Sequence, residues 1–151
     1  MDVGHLSCLR FGMAIFKVSG ISRVCLAQIT RSKFLDYLVR SSRYCDESDS
    51  AFVKPESFNE LPAYVQEAVT AFEKDSKVMY DMLRSAGMTK QDARYMLPQA
   101  QATELYMAGN YQAWKDFIAL RATKHAQHEV REVAYEIESL LIEAAPALFG
   151  V

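Results

Sequence analysis

The chain has 151 residues, 50% of them hydrophobic and 24% charged, which is enough for one ordinary core and too few for two. A net charge of -2 and a pI near 5.9 give no overall field for a polyanion, which argues against a nucleic-acid partner and leaves any anion to be met by local arginines. Cys8, Cys25 and Cys45 are an odd set at wide spacing with no C-x-x-C pair, which excludes a disulfide framework or a zinc ribbon and points to the reducing cytoplasm.

In chain order, residues 8–18 (CLRFGMAIFKV) read as a strand closed by a turn at Ser19-Gly20. The apolar run 11–16 within it, followed at once by Lys17, is far too short for a membrane span, and no membrane partner is expected. Ile21, Val24, Cys25, Leu26 and Ile29 recur at helical spacing, predicting a short helix over 21–30. Residues 48–62, in which Pro55 and Pro62 bracket polar residues, read as a loop. An amphipathic stripe predicts a long helix over 63–86 that stops at Gly87. Thr89 with Asp92 forms a variant capping box opening a helix that must end by Pro98. Residues 101–107 read as a strand, and Gly109-Asn110 as a turn and N-cap for a helix through Arg121. Val130, Val133, Ile137, Leu140 and Leu141 mark a last helix over 126–145. The class is α+β: a single helix-rich domain, spanning 1–151, with a small antiparallel sheet and no internal repeat.

His125, His128 and Glu129 share a helical face and could ligate a cation. However, H-x-x-H-E follows neither common zinc-protease order, no further ligand stands out, and no metal is expected. No cysteine has the setting of a nucleophile. The arginines are the better lead, although each taken alone reads as a solvated surface charge or an ion-pair partner. Gln28 and Arg31 share a face if both are helical, and Ser41 and Arg43 share a side if the chain is extended there. A hydroxyl beside a guanidinium fork makes a phosphate clamp, and a glutamine amide can both donate to and accept from a pyrimidine edge. The pattern points to a small phosphorylated ligand.

The residues that carry this pattern resemble the flavin-dependent thymidylate synthases, whose signature is R-H-R-x-x-S-x-N-x-x-S-x-R-Y. Residues 31–44, RSKFLDYLVRSSRY, fit its length without a gap and match at Arg31, Ser41, Arg43 and Tyr44. Phe16 to Arg31 upstream, then ARYMLP, TELYMAGN and FIALRATKHAQHEVREVA downstream, resemble the family's other blocks in the same order, so the resemblance covers about 14–148. It implies a homotetramer with active sites between subunits that converts dUMP to dTMP, using FAD, with NADPH and methylenetetrahydrofolate as co-substrates and no attacking cysteine. By position it gives Ser41, Arg43 and Arg94 to the phosphate, and Gln28, Arg31 and Arg121 to the base, with Arg121 as the catalytic residue that stabilises charge developing on the ring.

For FAD the resemblance offers Ser32, Lys33, Asn110 and His125. The flavin half departs from the signature. Ser32 and Lys33 stand where it has His and Arg, Asp36 and Leu38 where it has Ser and Asn, and Gln112 and Asp116 where members commonly show Arg and Asn. Losing cations and adding carboxylates weakens a diphosphate site. The chain also begins where the family has already used several dozen residues, some lining the folate and flavin region. Two alternatives follow: a pyrimidine nucleotide hydroxymethylase on the same fold, and a non-catalytic dUMP-binding paralogue with a degraded flavin site.

Overall fold

The computed structural model describes residues 6–150. The first five residues and Val151, which belong to the expected 1–151 domain, lie outside the described residues. The expected α+β class is what the chain adopts. Strands β1 (Met13–Ser22), β2 (Asp36–Val39) and β3 (Ala102–Asn110) form one antiparallel sheet in the order β1-β3-β2. Its register is fixed by Tyr111 N–H donating to the Gly12 carbonyl at 2.9 Å and Arg23 N–H to the Gln101 carbonyl at 3.1 Å, with Arg40 N–H donating to the Glu104 carbonyl at 2.9 Å beside β2. The helices are α1 (Arg23–Ile29), α2 (Ala63–Ser85), α3 (Lys90–Ala93), α4 (Tyr111–Arg121), α5 (His128–Ala144) and α6 (Pro146–Phe149).

Several expected boundaries move, each for a local reason. The first strand is Met13–Ser22 rather than 8–18, because Leu6–Arg10 close into a 3-10 turn. Ser19-Gly20 is not a turn but part of that strand, with Gly20 at φ +74, a conformation that glycine adopts without strain. α1 starts two residues later than expected, since the Ser22 hydroxyl accepts the Cys25 N–H at 3.0 Å as an N-cap does. The stretch 31–46, for which the sequence suggested a nucleotide contact and no element, contains the edge strand β2, where Leu38 and Asp36 remain exposed. The loop 48–62 carries a bridge from Phe52 to Gln101 and a 3-10 turn over Glu56–Glu60. Thr89 precedes α3, but its hydroxyl bonds the Asp92 carboxylate at 2.6 Å and caps no backbone N–H. Gly109 sits inside β3 instead of a turn, where a Cβ would collide with Leu35 Cδ2.

The chain divides into two compact units, to both of which the strands contribute residues. The first, with described residues 6–18, 27–38 and 105–150, has an aromatic and aliphatic core. Trp114 on α4 is fully buried, packs edge-on against Phe16 and Phe117 at ring-centroid distances of 4.9 and 5.9 Å, and donates its indole N–H to the Ala14 and Gly109 carbonyls. Val130, Ala134, Ile137 and Leu141 form the buried stripe of α5, and burying side chains of this kind contributes about 1.5–3 kcal/mol each for the larger ones. The second unit, residues 19–26 and 39–104, has a more polar interior in which Glu47, Gln101, Ser76 and Thr103 are buried beside Tyr80 and Ala93.

Candidate functional site

Of the candidate nucleotide residues, Ser41, Arg43 and Arg94 lie in the second unit. A cavity of about 360 Å3 opens there, lined by Arg23, Ser42, Arg94, Tyr95, Gln99 and Gln101 among others. Arg94 follows α3 directly, and its guanidinium is held in place by two bonds: Nε donates to the Gln91 carbonyl at 3.0 Å and Nη1 to Ser42 Oγ at 3.0 Å. Ser41 and Arg43 do not lie in extended chain. Residues 41–45 form a turn in which the Ser41 carbonyl accepts from Tyr44 and Cys45 N–H, at 3.1 and 2.9 Å. The fold therefore brings buried Ser42, not Ser41, to Arg94. Arg43 is exposed, donates to Gln91 Oε1 at 2.8 Å and lies over the Tyr44 ring.

Both ends of this turn are tied to Glu47, which is only 1% exposed. Its carboxylate accepts from Arg40 Nη1 at 2.9 Å and from Gln101 Nε2 at 2.8 Å, while Arg40 Nη2 reaches the Asp46 carbonyl at 3.2 Å. Such pairing is what a buried carboxylate needs. Arg23 is half-buried, and its pKa is lowered chiefly by that burial; Glu47 opposes the shift and the like charges of Arg94 and Arg40 add to it.

Gln28, Arg31 and Arg121 lie in the first unit. Arg121 Nη2 donates to the Gln28 carbonyl at 2.7 Å, and Gln28 Nε2 donates to Gln127 Oε1 at 2.8 Å. Arg121 Nε is buried without a partner. Arg31 does not share a helical face with Gln28, because α1 ends at Ile29; the Arg31 side chain instead lines a cavity of about 260 Å3 with Ser32, Lys33, Phe34 and Asp116. In that cavity Ser32 Oγ is buried and unpartnered. Phe34 is exposed and held at φ 65, a conformation bulky residues rarely adopt. Tyr37 secures the loop from behind, donating its hydroxyl to the Ile29 and Ser32 carbonyls at 3.0 and 2.8 Å.

A neighbouring cavity, also about 260 Å3, is lined by Arg10, Phe34, Asn110, Gln112 and Asp116. Asn110 is the N-cap of α4 as expected, its Oδ1 accepting the Ala113 N–H at 2.9 Å, and Gln112 Nε2 donates to Asp116 Oδ1 at 2.9 Å. His125 is exposed between α4 and α5 and lines neither cavity. His128 Nε2 lies 3.8 Å from Glu132, and no group of three His, Cys, Asp or Glu side chains among the described residues is placed to hold a metal ion.

A sequence model of the family described as "Thymidylate synthase complementing protein" matches residues 1–147. The chain belongs to this family, the flavin-dependent thymidylate synthases. It is 36% identical over 164 residues to the flavin-dependent thymidylate synthase of Mycobacteroides abscessus. It is 34% identical over 165 residues to that of Mycobacterium avium and, over the same length, to that of Mycobacterium marinum. Each alignment covers 99% of this chain and 66% of the relative, so the chain spans about two thirds of the length of the curated relatives it matches.

Within this member of the flavin-dependent thymidylate synthases, the side chains to which the sequence assigned no role are Arg23, which matches the family's block from Phe16, and Ser42 and Phe34. Ser42 could not be told from Ser41 by letters, since the choice depends on a turn rather than on extended chain. Arg23 carries no spacing signal, because its place in the cavity follows from the register that pairs its N–H with the Gln101 carbonyl.

Proposed function

We propose that the chain methylates dUMP to dTMP with methylenetetrahydrofolate, NADPH and FAD. The family match over residues 1–147 carries this reading, and the local chemistry supports it. Arg94, with the Ser42 hydroxyl on its guanidinium, and Ser41 and Arg43 on the adjoining turn receive the nucleotide phosphate through charge-assisted hydrogen bonds. Arg121, Gln28 and Arg31 face a pyrimidine base. The unpartnered, buried Nε of Arg121 is a donor ready for a ring carbonyl. A guanidinium fixed beforehand by the Gln28 carbonyl can stabilise negative charge that develops on the ring without reorienting, which makes Arg121 the catalytic residue.

The residues of the first unit fit a flavin nucleotide, with one opposing charge. Ser32 offers an orphaned hydroxyl, Arg31 and Lys33 offer cations for a diphosphate, and the exposed Phe34 ring offers an aromatic face. Asp116 opposes an anion. We assign FAD to Ser32 and Lys33, with Asn110 of the neighbouring cavity as a further contact and His125 retained on the resemblance alone. Held by these residues, a reduced flavin would supply the electrons needed for the transferred carbon to become a methyl group. A homotetramer is the proposed assembly, and the exposed apolar side chains Phe72, Val78, Met79 and Met82 on α2 suit a surface covered by other copies.

Incubation with dUMP, FAD, NADPH and methylenetetrahydrofolate, read by mass spectrometry, should give a nucleotide heavier than dUMP by one CH2. A protein that keeps no visible flavin absorbance and forms no dTMP sinks the reading; a product heavier by CH2O replaces methylation with hydroxymethylation.

A further inference from the structure

The cavity of the second unit contains one arginine with no role so far. Arg23 lines it together with Arg94 and Ser42. Its backbone is fixed, with N–H bonded to the Gln101 carbonyl at 3.1 Å, and the following Val24 N–H is bonded to the Gln99 carbonyl at 3.3 Å. Gln99 and Gln101 line the same cavity, so the backbone bonds that hold Arg23 and Val24 also hold the wall beside them.

We infer that Arg23 is an anion-binding residue of this cavity that, with Arg94 and Ser42, seats a phosphate monoester. The inference rests on the nucleotide reading of the same site and adds a residue to it.

The charge balance is the first argument. Arg23 lies within the electrostatic reach of Arg94, Arg40 and Glu47. Three guanidiniums against one carboxylate leave about two positive charges, which matches the charge of roughly -1.5 to -2 that a phosphate monoester carries at neutral pH. Glu47 is committed to Arg40 and Gln101 by its two bonds, so Arg23 and Arg94 are the cations that face the open volume.

Burial is the second argument. A half-buried guanidinium beside two like charges is held at an energetic cost, and a dianion entering the cavity would offset it. Fork donors from Arg23 and Arg94, with the Ser42 hydroxyl already bonded to Arg94, supply the several hydrogen bonds a tetrahedral oxyanion accepts. Glu47 acts as a positioning residue, since it ties Arg40 and the turn that carries Ser42 to the Gln101 wall.

Calorimetric titration of the full chain with dUMP, deoxyuridine and inorganic phosphate tests the assignment on wild type, Arg23→Gln, Arg23→Lys and Arg94→Gln. Loss of one charge-assisted contact should weaken dUMP and phosphate about 10- to 100-fold in Arg23→Gln and leave deoxyuridine unchanged. Arg23→Lys should recover part of the loss, because it restores the charge without the fork. If Arg23→Gln binds dUMP and phosphate as wild type does while Arg94→Gln loses them, Arg23 is structural and the nucleotide reading survives. If wild type takes phosphate in an Arg23-dependent way but not dUMP, the nucleotide reading falls and the anion seat stands. Binding of neither overturns both. Should Arg23→Gln fail to fold, Arg23→Lys decides: weakened phosphate supports the assignment, and unchanged affinity overturns it.

Discussion

Tyr37 shows how much one hydroxyl can organise. It donates to the carbonyls of Ile29 and Ser32, the end of α1 and the start of the candidate flavin loop. Burial is the main cause that raises its pKa above the ordinary 10.0, with the Ser32 side chain and the Arg121 charge opposing. The folded state thus keeps this proton longer than the unfolded chain, so the contribution is complete below pH 10 and is lost as pH rises through the raised value. Tyr37→Phe should cost about 1 kcal/mol at neutral pH, and its melting temperature should fall less steeply above pH 10 than that of wild type. Parallel alkaline profiles would count against the bonded phenol as the cause. Asp116 is the opposite kind of residue, a carboxylate on the walls of both first-unit cavities. Asp116→Asn removes the repulsion of a diphosphate and keeps an acceptor for Gln112, so FAD should bind several-fold more tightly in a flavin-fluorescence titration, with the gain shrinking as salt is added.

At the scale of elements, the close approach of Gly109 in β3 to Leu35 is a tight constraint on the first unit. Gly109→Ala should lower stability by about 1–3 kcal/mol, as overpacking does, and chemical denaturation reads the loss directly. Leu35→Ala combined with it should restore part, because the colliding methyl is gone. The helices were the legible part of this architecture. α2 and α5 carry amphipathic stripes, and Asn110 at the head of α4 is a capping residue whose role survived intact. β2 was not legible, because an edge strand of four residues with Leu38 and Asp36 exposed shows neither clean alternation nor an apolar run. The turn at 41–45 was missed for a related reason: its shape depends on Arg40 and Glu47 meeting, and a buried ion pair leaves no periodic trace. Of the candidate site, the grouping of Arg94 with the serine turn and of Arg121 with Gln28 came from the resemblance; the serine actually bonded to Arg94 and the bond from Arg121 to the Gln28 backbone were not legible.

For the whole molecule, family membership is established along nearly the full chain, and among the described residues no helix is long and apolar enough to cross a membrane. The proposed tetramer is open to a direct measurement. Sedimentation equilibrium should give four times the 17.1 kDa chain mass, and a single chain at micromolar concentration would remove the assembly from the proposal. Apolar-to-charged changes at Phe72 and Met79 should shift the equilibrium toward smaller species, since they place charge on the face we assign to other copies.

The Arg40–Glu47–Gln101 network of the second unit has a consequence for how such a chain could evolve or be redesigned. Removing the cation leaves an orphaned charge: Arg40→Met alone strands the buried Glu47 carboxylate and should cost about 3–5 kcal/mol. Replacing all three at once with apolar residues of similar size, as in R40M, E47L and Q101M together, should cost far less than the single change, because these three positions then hold no charge to be paired, although Arg23 loses the opposing charge of Glu47. The triple variant would nevertheless lose the tie between the Ser42 turn and its wall, and with it affinity for phosphate. Denaturant midpoints set beside calorimetry would show the two properties moving apart. A redesign aimed only at durability would favour the apolar version, whereas one aimed at binding would keep the polar triad.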